Sequence, residues 1–102
     1  MKIKAALSSS AEAPFEIAEV ELDEPRADEV LVKLSAVGIC HTDLTMKAVW
    51  PQEMSPIVLG HEGAGVVEAV GQDVTGVGPG DRVVLSYRSC GSCRECAAGH
   101  RT

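Results

Sequence analysis

Along residues 30–36 the side chains alternate, with Val30, Val32, Leu34 and Ala36 on one side of an extended backbone and Lys33 and Ser35 on the other. A period of two is the mark of a half-buried strand, and it narrows what the remainder can be. Residues 3–7 and 15–22 read as further strands. So do 65–70 and 82–87, which are rich in β-branched side chains, the second opened by the turn sequence GVGPGD at 76–81. Only 41–48 invites a helix, of about two turns. Nine of the ten glycines follow residue 59, which predicts strands joined by tight turns in the second half. Short strands with no βαβ alternation predict a mainly β fold, a small barrel or sandwich. No internal repeat or low-complexity segment interrupts it.

A chain of 102 residues reads as one domain, 1–102, with room for a modest core. Its net charge of −6 and pI near 4.9 argue against a nucleic-acid partner, which would need a basic face. Eight of the fifteen acidic residues lie between positions 12 and 29 and read as a solvated surface. No apolar run reaches membrane-spanning length, and the first twenty residues lack the apolar centre of a signal peptide. A cytoplasmic location is the expectation, and there clustered cysteines bind metals or react more often than they pair.

Two constellations carry chemistry. In GICHTDL (38–44) and LGHEGAG (59–65), Cys40 and His61 are candidate zinc ligands, with Glu62 alongside. A catalytic zinc takes about three protein ligands and keeps one position open. Asp43 could hold the ligand imidazole by its second nitrogen. The competing reading is a buried apolar thiol and an ordinary loop histidine. GAGVVEAVG is no dinucleotide fingerprint, because Glu68 stands where the third glycine belongs and no helical pattern follows. The second constellation is Cys90, Cys93 and Cys96, three apart with two residues between each pair, in a glycine-bearing loop. A redox-active pair would sit at a strand–helix junction within a βαβ pattern, which is absent. Sulfur-rich tetrahedral sites favour zinc.

GICHTDL, P-x-VLGHEGAGVVEAVG, V-x-PGDRV and CGSCREC follow one another in this order. Together they closely resemble the N-terminal segment of the zinc-dependent medium-chain alcohol dehydrogenases, over essentially the whole chain; LSYRSCGSC is similar to the aryl (benzyl) alcohol dehydrogenase group. The resemblance implies a GroES-like, partly open β-barrel with one short helix and a cysteine-rich zinc loop. It implies Zn2+ at a catalytic and a structural site, and NAD or NADP held by a later Rossmann domain that this sequence lacks.

Position by position, the resemblance implies Cys40 and His61 as catalytic zinc ligands, with a third cysteine from beyond Thr102. Glu62 matches a glutamate beside the metal and Asp43 the carboxylate supporting the histidine. Thr42 matches the hydroxyl that takes the alcohol proton, and His41 a position facing the cofactor pyrophosphate. Trp50 matches a wall of the substrate cleft, with plain core packing as the competing reading. Thr45 departs from the pattern, standing where many members place a relay histidine.

The implied activity is oxidation of a primary or aryl alcohol to an aldehyde, with hydride passing to NAD(P). The partners are a small alcohol or aldehyde and, in the full-length protein, further copies of itself. A stand-alone zinc-binding or co-chaperonin-like β module without catalysis is the alternative. The resemblance places a fourth structural cysteine eight residues after Cys96, two past Thr102, so the sequence is expected to be part of something longer. His100 is a local substitute for that ligand on spacing, while the family pattern leaves it at the surface.

Overall fold

The computed structural model describes residues 1–100. It has six strands: β1 (Lys2–Ser8), β2 (Glu16–Glu21), β3 (Val30–Val37), β4 (Ile57–Val58), β5 (Gly63–Val70) and β6 (Arg82–Val84). Two short helices accompany them, α1 (His41–Val49) and α2 (Arg94–Ala97), with a 3-10 turn at Gln52–Met54. All pairing among the described residues is antiparallel, in two three-stranded sheets ordered β2-β1-β4 and β3-β5-β6. The mainly β expectation holds, with α2 added inside the cysteine loop. No helix among the described residues is long and apolar enough to cross a membrane.

Strand β5 is the spine of the second sheet. Its Gly63, Gly65 and Val67 are buried, one face of a period-two strand, and Val67 is the most enclosed apolar side chain among the described residues at 2% exposure. Gly65 is glycine for space: an added Cβ would run into the carbonyl of Lys33 and the backbone of Leu34 on β3. The pairing of β3 with β5 slips twice, between Leu31 and Val32 and between Leu34 and Ala36. Each slip adds a residue to one strand and turns the following side chains over. The alternation in 30–36 therefore does not yield one buried face, and Leu34 is half exposed.

The two sheets do not close on a common core. Val67 and Cys96 are the only apolar residues fully buried among those described, and Leu34, Val37, Ile39 and Val84 lie open. The accessible surface is 7747 Å², against about 5,500 Å² for a closed monomer of this mass. The radius of gyration is 15.3 Å, where about 13 Å suits a compact chain of this length. An open half-barrel results, and its ends present the chemistry.

Candidate metal centres

The first centre forms where α1 begins. Cys40 is the residue before the helix, in extended backbone (φ −116°, ψ 142°), and its side chain makes no capping hydrogen bond, so the sulfur is left for other work. His61 comes from the loop between β4 and β5, entered through Gly60 at φ +146°, a backbone conformation that glycine adopts at little cost. The sulfur of Cys40, a ring nitrogen of His61 and a carboxylate oxygen of Glu62 lie within 4.8 Å of one another. Tetrahedral ligand atoms about 2.0–2.3 Å from one ion sit roughly 3.3–3.8 Å apart, so this donor set, within 4.8 Å, would close on zinc with small side-chain adjustment.

His61 is gripped from several directions. Its Nδ1 lies 3.1 Å from Oδ1 of Asp43, with both side chains under a fifth exposed. A carboxylate accepting here calls for the proton on Nδ1, the tautomer that would leave the Nε2 lone pair for a metal. Nε2 is 3.7 Å from Oε1 of Glu62. The ring stacks on Tyr87, with centroids 5.0 Å apart and planes 16° off parallel. Glu62 is seated by Gly38, whose N–H donates to the Glu62 carbonyl at 2.7 Å. A Cβ on Gly38 would collide with the Glu62 carboxylate.

The other residues singled out in α1 are less engaged. His41 and Thr42 are exposed at the helix start. Thr45 uses its hydroxyl on the helix itself, donating to the carbonyl of His41 at 3.3 Å. Trp50 ends the helix half-buried, its indole N–H donating to the carbonyl of Met54 at 3.2 Å. Tyr87 and Gly38 were not foreseen. A signal for Tyr87 existed, since the sequence has one each of Phe, Trp and Tyr and an isolated aromatic in so polar a loop invites a partner.

In the second centre the sulfurs of Cys90, Cys93 and Cys96 also lie within 4.8 Å of one another. Cys90 and Cys96 are 3.8 Å apart, the edge of a tetrahedron with metal–sulfur bonds of about 2.3 Å. The backbone N–H of Cys93 donates to the Cys90 sulfur at 3.3 Å, and that of Cys96 to the Cys93 sulfur at 3.5 Å. Gly91 at φ +74° allows the tight bend, and α2 then delivers Cys96 inward. His100 does not join them. Its Nδ1 pairs with Oε2 of Glu95 at 3.2 Å on the surface, as the family pattern implied.

Backbone hydrogen bonds from Ser92 first, and then Cys93, hold the Cys90 thiol down to about 6 from its ordinary 9.0. Hydrogen bonds that favour the thiolate act against protonation. In the metal-free protein, alkylation of Cys90 by iodoacetamide should rise with a midpoint near pH 6; a midpoint near 9 would show that the loop does not hold the anion. Because the folded-state value is depressed, the stabilisation this thiolate gives is complete above the ordinary value and fades as pH falls through about 6.

An open, antiparallel β module with a cysteine–histidine–glutamate cluster at a helix start and a three-cysteine knuckle is the class of protein that fold and sites define. Residues 26–102 match the model of the alcohol dehydrogenase GroES-like domain, and the chain belongs to that family. It is 56% identical over 100 residues to an NDMA-dependent alcohol dehydrogenase of Amycolatopsis methanolica, an alignment covering 97% of this chain and 27% of that protein. A crystal structure of an alcohol dehydrogenase zinc-binding domain protein from Burkholderia ambifaria superposes with a TM-score of 0.92 at 50% identity, over 99% of this chain and 27% of the other. Benzyl alcohol dehydrogenase from Acinetobacter calcoaceticus gives 0.87 at 45% identity, over 96% and 27%. The chain thus spans about a quarter of the length of these relatives.

Proposed function

We propose that this chain is the N-terminal part of the catalytic domain of a zinc-dependent alcohol dehydrogenase, oxidising a primary or aryl alcohol to an aldehyde and passing the hydride to NAD or NADP. The carrying observation is the convergence of Cys40 and His61, twenty-one positions apart, with Asp43 bonded behind the imidazole. The relatives named alcohol dehydrogenases support the reaction class, and the benzyl alcohol enzyme among them supports the aryl substrate.

Cys40 and His61 would hold the catalytic zinc, with a further ligand from outside these residues, and Cys90, Cys93 and Cys96 would hold the structural one. Bound there, the catalytic ion supplies Lewis acidity that lowers the pKa of an alcohol near it. Asp43 fixes the tautomer and plane of the His61 ring, so the lone pair is aimed before any ligand arrives. Glu62, seated by Gly38, stands within reach of the same point. Thr42 receives the hydroxyl proton and hands it to water, since Thr45 is bonded to the helix backbone. His41, exposed beside it, would face the pyrophosphate of a bound cofactor, and Trp50 would wall the substrate cleft. A nicotinamide held by a further domain would supply the two-electron acceptor that the alcohol's carbon-bound hydrogen requires. The intact protein acts in the cytoplasm as a homo-oligomer.

The test is benzyl alcohol oxidation by the protein expressed from its native gene, followed as NADH or NADPH formation, together with its zinc content. Asp43→Asn should lower turnover about 10- to 100-fold. Absence of any alcohol-dependent reduction of either cofactor, in protein loaded with zinc at both centres, would end the proposal. The 102-residue chain alone should show no turnover, because it offers no place to position a nicotinamide against the alcohol.

A further inference from the structure

The charged side chain most enclosed among the described residues belongs to neither metal centre. Lys47, on the last turn of α1, is 9% exposed. Its ammonium donates to the carbonyls of Ser10 at 3.0 Å and Ala11 at 2.7 Å, and lies 5.6 Å from the centre of the Phe15 ring. No carboxylate pairs with it among the described residues. Gln52, just beyond the helix, donates to the carbonyl of Ser9 at 3.0 Å. Three successive carbonyls of the β1–β2 connection are thus taken by side chains of the segment that follows Cys40. Within that connection the hydroxyl of Ser10 accepts from the N–H of Ala13 at 3.0 Å, which keeps it folded.

A buried ammonium is costly unless its donors are used, and hiding apolar area alone would be served better by methionine. What lysine adds is a bridge. Helix α1 needs one, because it is only nine residues long and leaves Leu44 and Val49 more than half exposed; a helix so short and so little packed has scant hold on its own axis. Its N-terminal end is fixed by the bond from Asp43 to His61, and its C-terminal end by Lys47.

We propose that Lys47 is a positioning residue for the first metal centre: by bolting α1 to the Ser9–Ala13 connection it sets the helix axis and so the place of Asp43 against His61. The proposal deepens the dehydrogenase reading, and its consequence is that the connection between β1 and β2 is coupled to the metal centre, although it supplies no ligand. Lys47 acts through Asp43 and touches none of the reacting atoms.

The experiment compares Lys47→Met and Lys47→Arg with the parent in the protein expressed from its native gene. Amide hydrogen exchange over residues 9–13 and 41–49 is read together with the proton on Nδ1 of His61 by NMR, in zinc-free and zinc-loaded samples. In Lys47→Met both segments should exchange about tenfold faster, with β5 unchanged, and the Nδ1 proton signal should broaden or shift. Zinc at the Cys40–His61 centre should bind about tenfold more weakly while zinc in the Cys90 knuckle is unaffected. Lys47→Arg, which keeps donors for the two carbonyls, should restore the parent values.

If residues 9–13 loosen while 41–49 and the Nδ1 proton stay as in the parent, Lys47 only holds the connection and the proposal is overturned. If Lys47→Met also loses protection in β5, Lys47→Gln, which retains donors on a shorter stem, takes its place under the same criteria. Because exchange and the Nδ1 proton are read without zinc, they judge Lys47 even if the protein oxidises no alcohol, which would count against the dehydrogenase reading alone.

Discussion

On the proposed dehydrogenase reading, His61→Ala should cost the intact protein at least about a thousandfold in kcat/KM for benzyl alcohol, since Lewis-acid catalysis supplies several kcal/mol. Zinc content should fall by one ion per chain, with the other kept in the Cys90 knuckle. The loss should exceed that of Asp43→Asn, because on that reading the first change removes a ligand and the second only its support. Alanine at 61 also leaves Asp43 without its partner at 3.1 Å and Tyr87 without the ring it stacks on. Retention of both ions with activity within tenfold of the parent would show that His61 is no ligand.

Gly65→Ala should destabilise this domain by about 2–4 kcal/mol, the upper range for overpacking, because the atoms in the way are backbone. The new methyl would meet the Lys33 carbonyl and the Leu34 backbone across the β3–β5 pair, and neither can step aside without breaking the ladder. The urea midpoint should drop accordingly with little change in slope. Gly76→Ala makes the control: nothing lies within 4 Å of its added Cβ, and only the backbone at φ +87° resists it, a cost nearer 1 kcal/mol. Equal midpoints for the two variants would mean that the close approach at Gly65 is not real.

The strands that sequence alone could place are those with a long repeating pattern. β1, β2, β3 and β5 appear within two residues of their expected ends, as does α1. β4 escaped because two residues between Pro56 and Leu59 carry no period. β6 stops at Val84, short of the expected 87: Leu85 still donates its N–H to the Gly63 carbonyl at 2.8 Å, but the chain then leaves the strand and brings the Tyr87 ring onto His61. The inward face of β3 was illegible for another reason: its two register slips depend on the partner strand, and local alternation cannot show them. At the first centre, residue types and motif order named Cys40, Asp43, His61 and Glu62, and the structure brings those four together. Lys47 could not be found in this way. Its partners are carbonyls, which every residue has, so no side-chain pattern marks them.

The openness of the half-barrel has a thermodynamic consequence for the chain by itself. An unfolded chain of this mass exposes about 15,500 Å², so folding to a closed monomer would hide roughly 10,000 Å²; the 7747 Å² still wet here leaves about a fifth less to hide. Both the urea slope and the heat capacity of unfolding scale with newly exposed area, so each should fall below its usual value for this length by about that fraction. A smaller heat capacity flattens the dependence of stability on temperature. Calorimetry of the isolated chain should therefore trace a low, broad melting transition, its maximum stability shallow and spread over a wide span of degrees.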